Sequence, residues 1–243
     1  MISLFIKELT TFFKSVTGYF VIILFLLLSG LFLWIFPGDT NILDSQFATL
    51  EPFFYIAPWV FLLLIPAITM RSVADEKKSG NLELLFTRPL SDMQIITAKF
   101  LACLALVMIS LLPTLIYYIS VNHLGDPIGN IDHAATWGSY LGLFFLAAVY
   151  VSIGIFSSSV SDNTIIAFLV AVVFCFIMYL GFDLIGNLFS TSSAGNLISG
   201  LSIDYHYQSV SRGVIDSRDI IYFLAVTAIF LVFTKLKFAS RLW

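Results

Sequence analysis

Six stretches of this chain, residues 19–36, 53–70, 100–121, 137–156, 164–185 and 220–234, are apolar over nearly the depth of a bilayer and hold almost no charge. A helix needs about 20 such residues to cross the hydrocarbon layer. No other feature limits the possible folds as much. The sixth stretch is the shortest, and its end is blurred by Leu236 and Phe238 alternating with Lys235 and Lys237. Composition removes the alternative that these are core helices of a soluble globule. Of the 243 residues 59% are apolar, 25 are Phe and only 11% are charged, against about a quarter charged in ordinary soluble domains. A globule of this length leaves about a quarter to a third of its chain surface in water, so the apolar excess must face lipid. A soluble enzyme, a disordered tail and a secreted disulfide scaffold are excluded. Cys103 and Cys175 sit inside apolar runs and read as small core residues, and a net charge of −3 suggests no nucleic-acid partner. The expected fold is all-α and polytopic, a single membrane domain over residues 1–243. Pro58, Pro66 and Pro113 fall within spans, where neighbouring helices take up the freed carbonyls.

Lys and Arg set the expected orientation. With six spans and a cytoplasmic N-terminus, ten of the 12 basic residues are cytoplasmic, leaving only Arg212 and Arg218 outside. That bias places both termini in the cytoplasm, with the protein in the inner membrane. The segment before the first span lacks a small-residue cleavage pattern and reads as uncleaved. Within residues 1–17, Ile2, Phe5, Ile6, Leu9, Phe13 and Val16 recur at steps of three and four, with Ser3, Lys7, Glu8, Thr10 and Lys14 opposite. This pattern fits an interfacial helix that turns into the first span at Gly18, or a first span extended inward.

Ion-coupled transporters keep ionisable side chains at mid-membrane. Here Asp183 and Glu51 lie near span ends, within reach of water, so a gradient-driven mechanism has no buried relay to use. His123, Asp126, Asp132 and His133 share one loop, but their spacing matches no established metal site. The Ser157–Ser159 triplet lacks the glycines of a nucleophile elbow and a partnered base. The chain therefore reads as no enzyme, with no metal and no cofactor of its own.

The densest charge lies between the second and third spans, at residues 71–99, with five basic residues and four carboxylates. The expected structure is a helix through Glu76 and Lys77 stopped at Gly80, a short amphipathic helix over residues 82–87 ended by Pro89, and a helix capped by Ser91 that carries Lys99 into the third span. Leu82, Leu85 and Phe86 share a face, and Glu83 points elsewhere. Such a helix suits docking into a groove on a partner, or lies with its apolar side on lipid.

Arg71, Glu76, Gly80, Leu82-Glu83-Leu84-Leu85, Thr87, Pro89 and Lys99 resemble the coupling-helix signature of ABC-2-type transporter permeases, with Asn81 where Thr is usual. The six-span plan, the N-terminal interfacial (elbow) helix and the long external loop at 186–219 also match, so the resemblance covers nearly the whole chain. It implies an exporter-type permease whose residues Glu76, Gly80, Leu82, Glu83, Leu84 and Leu85 contact a separate cytoplasmic ABC ATPase. The chain contains no G-x-x-x-x-G-K-[ST], so ATP-Mg is expected only on that partner. The resemblance further implies two ATPase copies and a second permease, identical or related, that carries a large extracytoplasmic domain in the gliding-motility systems.

In the external loop, residues 187–199 read as a re-entrant or interfacial turn. Ser202 is placed to cap a helix with Ile203, Tyr207, Val210 and Val214 along one side. The stretch 202–223 resembles both the gliding-motility-associated permeases of Bacteroidetes and the permeases that serve nitrous oxide reductase maturation (copper or sulfur supply). The Phe/Tyr/Ile/Lys-rich composition leans to the former. A non-transporting membrane scaffold is the alternative of a different class. No residue is assigned to substrate contact.

Overall fold

The computed structural model describes residues 1–45, 47–86, 89–189, 193–213 and 216–240. It is helical with no strand among them. Six helical segments are long and apolar enough to cross a membrane. Each overlaps a stretch read from the sequence; five run past its end, because polar caps and charged flanks continue a helix beyond its apolar body, and the first starts three residues early and ends at Trp34, two residues short.

Helix α1 (Ile2–Lys14) is followed by α2 (Val16–Trp34), the first span. The chain turns at Ser15, whose extended backbone separates the two helices, and not at Gly18. Gly18 serves close packing instead. A Cβ there would stand 2.5 Å from the carbonyl oxygen of Phe12, so only glycine lets α1 fold back onto α2. On α1, Ile2, Ile6 and Val16 just beyond it are exposed, while Leu4 is buried and Glu8 is half-buried. Of the polar residues, Ser3, Lys7, Thr10 and Lys14 stay exposed as expected, and only Glu8 turns inward, beside buried Leu4, against α6.

The second span is α3 (Glu51–Thr69), which runs through Pro58 and Pro66. It breaks at Met70 and continues as α4 (Arg71–Lys78). Gly80 follows at φ 72°, a left-handed conformation that glycine adopts without steric cost, and α5 (Asn81–Phe86) begins directly after it. The third span comprises α6 (Asp92–Leu111), a 3₁₀ turn at Leu112–Thr114 that contains Pro113, and α7 (Leu115–Leu124). At the turn, Thr114 donates to the Leu111 carbonyl at 2.7 Å and Tyr140 to the Thr114 carbonyl at 3.1 Å.

Helix α8 (His133–Val160) is the axis of the bundle, packed by α3, α4, α6 and three further helices, α9 (Thr164–Phe176), α12 (Ile203–Ser211) and α13 (Ser217–Ala239). It is rich in Gly, Ala and Ser, and small side chains let membrane helices approach closely. A Cβ at Gly154 would fall 1.9 Å from Thr69 Oγ1, so α3 and α8 touch nearly backbone to backbone there. α9 passes through a π-helical stretch, Ile177–Gly181, into α10 (Phe182–Leu188). With α10 it forms the fifth span, of which only 22% is buried, against 78% for α8, so the fifth span is peripheral.

Between the fifth and sixth spans, α10 and α11 (Ser193–Ser199) fold against each other at Gly186 and Gly195. Among the described residues of 187–199, Asn187, Leu188 and Ser193–Ser199 are helical. α12 then lies across the end of α8 with Ile203, Tyr207 and Val210 buried; Val214 lies outside the described residues. Ser202 precedes α12 but makes no side-chain cap. Its hydroxyl donates instead to the carbonyl of Tyr179 in the π-helical stretch.

Candidate coupling site at the basic end

Two helix junctions gather most of the described lysines at one end of the bundle. The first is the break at Met70. Helix α4 starts there with N–H groups that cannot all be satisfied within the helix, and Ser158 of α8 supplies the missing partner. The amides of Val73 and Ala74 donate to Ser158 Oγ at 3.1 and 3.0 Å, while that hydroxyl donates to the Met70 carbonyl at 2.8 Å. Ser157 and Ser159 donate to carbonyls of their own helix. Ser158 alone of the triplet thus holds the junction of α3 and α4 against α8.

The second junction is the start of α6. Ser91 and Gln94 form a reciprocal capping box, with the Gln94 amide donating to Ser91 Oγ at 3.3 Å and the Ser91 amide to Gln94 Oε1 at 3.1 Å. This fixes α6 so that Lys99, two turns in, is only 1% exposed. Its ammonium has two hydrogen-bond acceptors and a third oxygen close by. It donates to the Ser72 carbonyl at 2.7 Å and to Glu8 Oε1 at 3.1 Å. Glu76 Oε2 lies 2.7 Å away as an ion pair, bent away from hydrogen-bond geometry. The carboxylates are 13% and 16% exposed. Lys7 adds a looser contact to Glu76 at 3.8 Å. One buried cation therefore ties three helices, α1, α4 and α6, at a single point. The sequence carried a signal for this: Lys99 sits among Ile95, Ile96, Ala98, Ala102 and Cys103, and a cation in such a run requires carboxylate partners.

Below this cluster, α4 also pairs Lys77 with Asp162, in the loop before α9. A cavity of about 250 Å³ between the ends of α4, α5, α8 and α13 is lined by Val73, Lys77, Leu82, Lys237 and Phe238. Leu82 and Leu85 are both buried in the chain's own core. At these two positions the face of α5 is covered within the chain. Glu76 likewise points inward, to Lys99. The exposed surface is instead the tip formed by Asp75, Lys78, Ser79, Gly80 and Asn81. The side chains of Glu83, Leu84 and Phe86, and all of Thr87 and Arg88, lie outside the described residues.

A model of the ABC-2 family transporter protein matches residues 2–241. The chain belongs to the ABC-2 transporter family. It is a membrane permease subunit of an ABC transporter, a class that works with an ABC ATPase. No curated protein matches the sequence.

At the opposite end, two of the four residues weighed as metal ligands make hydrogen bonds within the chain. Asp132 accepts the Ala135 amide at 2.9 Å and so caps α8, and His133 Nδ1 meets the Tyr118 hydroxyl at 2.8 Å. Sequence reading also missed a clasp there: His206 Nδ1 lies 2.7 Å from Asp219 Oδ1, and Nε2 lies 2.9 Å from the Gly200 carbonyl. The His206 ring stacks on Tyr222 at 3.9 Å. The clasp fastens α12 to the start of α13.

Proposed function

We propose that this permease is driven from its basic end, where a cytoplasmic ABC ATPase binds the tip of α4 and α5. The observation that supports this is the Lys99 cluster. Because one buried ammonium joins α4 to α6 and α1, force applied at the tip moves a span and the interfacial helix together. Gly80 and Asn81 supply direct contact in this reading. Leu82 and Leu85 shape the tip from within, Glu76 transmits through Lys99, and Glu83 and Leu84 belong to the same short helix. Two ATPases and a second permease, identical or related, complete the complex in the inner membrane with both termini cytoplasmic, and it exports a substrate or does work on an extracytoplasmic partner. Within the family, the stretch 202–223 and the wealth of Phe and Tyr favour the gliding-motility branch.

The test is co-purification. The tip variant Lys78→Glu with Asn81→Trp alters exposed residues only, so the permease should remain monodisperse while the ATPase no longer follows it through a tag on the permease. Undiminished recovery of the ATPase with this variant would refute contact at the tip.

A further inference from the structure

At the end opposite the Lys99 cluster, a cavity of about 960 Å³ opens between the start of α3, the start of α8, the π-helical stretch and α12. Its size lies at the upper end of the range for small-molecule sites. Its charge is one-sided: Glu51, Asp132 and Asp204 line it against a single cation, Arg212. Asp132 is occupied in capping α8, but Glu51 stands free at the rim. Aromatic rings line the same cavity. Trp59 meets Tyr179 edge-on at 5.8 Å, and Tyr55 and Trp59 are 67% and 39% exposed, so ring surface is open to an occupant.

Two further observations mark this cavity as more than a gap between helices. Its wall includes Tyr179 and Leu180 of the π-helical stretch, a distortion that is costly in a helix and recurs at functional sites. Beside Tyr179, with ring centroids 6.4 Å apart, lies Tyr150, fully buried with a hydroxyl that has no hydrogen-bond partner. That hydroxyl is in electrostatic reach of Tyr179, Asp204 and Tyr207. Tyr150 does not itself line the cavity but backs Tyr179, which does.

We infer that this vestibule binds an organic cation with an apolar or aromatic body, seated between the Asp204 and Glu51 carboxylates and the Tyr55–Trp59–Tyr179 rings. Carboxylates supply long-range attraction and ring faces the short-range contact. The inference rests on the permease reading only for the side from which the ligand enters, and its test needs no ATPase, so its failure would leave the coupling proposal standing.

Burial pushes the Asp204 carboxyl above the ordinary carboxylate range. Hydrogen bonds from Tyr179 and Gln208 oppose that rise, and the Asp183 carboxylate adds to it. Tyr150 and Tyr207 also face it, and Glu51, Asp132 and Arg212 share the cavity. A raised value means that Asp204 takes up its proton early on acidification. Cation binding should therefore weaken as pH falls, beginning above the ordinary carboxylate range.

The experiment is flow dialysis of the full chain in phosphatidylglycerol nanodiscs with labelled tetraphenylphosphonium, with tetraphenylborate as the anion of the same shape. One saturable site is expected for the cation and none for the borate. Asp204→Asn should weaken binding about tenfold and abolish its acid-dependent step, and Trp59→Leu should weaken it severalfold. Glu51→Gln, at an exposed rim position where folding is not at stake, should weaken it about threefold. Displacement of the probe by phosphatidylcholine in the disc would assign the site to a lipid headgroup, and no displacement to a free cation; both support a cation site. Equal affinity in Asp204→Asn and Glu51→Gln, or saturable borate binding, would overturn the inference.

Discussion

Replacing Lys99 with methionine keeps the length of the side chain and removes its charge. What remains is two carboxylates, Glu8 and Glu76, facing a space that no longer holds a cation, and a Ser72 carbonyl without its donor. Removing one partner of a buried ion pair costs about 3–5 kcal/mol because the surviving charge stays desolvated. The low end applies here, since both carboxylates keep some exposure, 13% and 16%. The lost bond to the Ser72 carbonyl adds about 1 kcal/mol. A total of about 4 kcal/mol is expected, roughly a thousandfold in the folding equilibrium.

The same reasoning makes a sharper demand. If the cost comes from stranded charge, then Glu8→Gln and Glu76→Gln added to Lys99→Met should restore most of it. Only about 1 kcal/mol should then be lost, for the Ser72 carbonyl. Equilibrium unfolding in mixed micelles measures all three proteins on one scale. A Lys99→Met cost under about 1 kcal/mol would show that the pair contributes little. A triple variant no more stable than the single one would show that the loss is packing around the lysine stem and not charge. Either result refutes the cluster as an electrostatic joint between α1, α4 and α6.

Two further substitutions probe the seams around that joint. Gly154→Ala should destabilise the bundle by about 1–3 kcal/mol in the same unfolding assay, because the new methyl meets Thr69 Oγ1 at 1.9 Å and Thr69 Cβ at 2.7 Å; Thr69→Gly in the same chain should recover most of the loss. Ser158→Ala removes the acceptor of the Val73 and Ala74 amides and the donor to the Met70 carbonyl. Amide exchange at residues 73 and 74 should then rise by at least about tenfold while exchange in the middle of α8 stays slow.

The number and order of spans were legible because each depends on local composition alone: a run of apolar residues must be helical and must be covered, whatever covers it. Local signals also placed the Ser91 cap and the stop at Gly80 correctly, though not the reciprocal bond from Gln94. What the sequence did not disclose was which partner each face meets. The spacing of Leu82 and Leu85 defines an apolar face equally well whether it is offered to another subunit or folded under α4, and the outcome depends on tertiary packing. Glu8 was assigned to the polar side of α1, yet it turns inward because Lys99, 91 residues away in sequence, lies there. Gly18 looked like a turn and is a packing contact, since a glycine required by a neighbour's backbone and one required by its own dihedral read alike in one sequence.

The distribution of these contacts bears on how a push at the tip would travel, on the proposed reading. Helix α4 is joined to α6 and α1 by Lys99 and to α8 by Ser158, so these four helices resist relative displacement through buried polar bonds as well as packing. The line of least resistance lies just beyond them. Along α3, Pro58 and Pro66 each remove one intrahelical hydrogen bond, and the next turn ends in the break at Met70. That same helix carries Glu51, Tyr55 and Trp59 at its far end, in the wall of the large cavity. A displacement entering at α4 would therefore reach the vestibule along α3, bending it at the prolines more readily than it would shear α8. Thr69 against Gly154 lies on the cavity side of the Met70 break, and that close contact would hold the inner end of α3 against α8 while its outer half bends at the prolines.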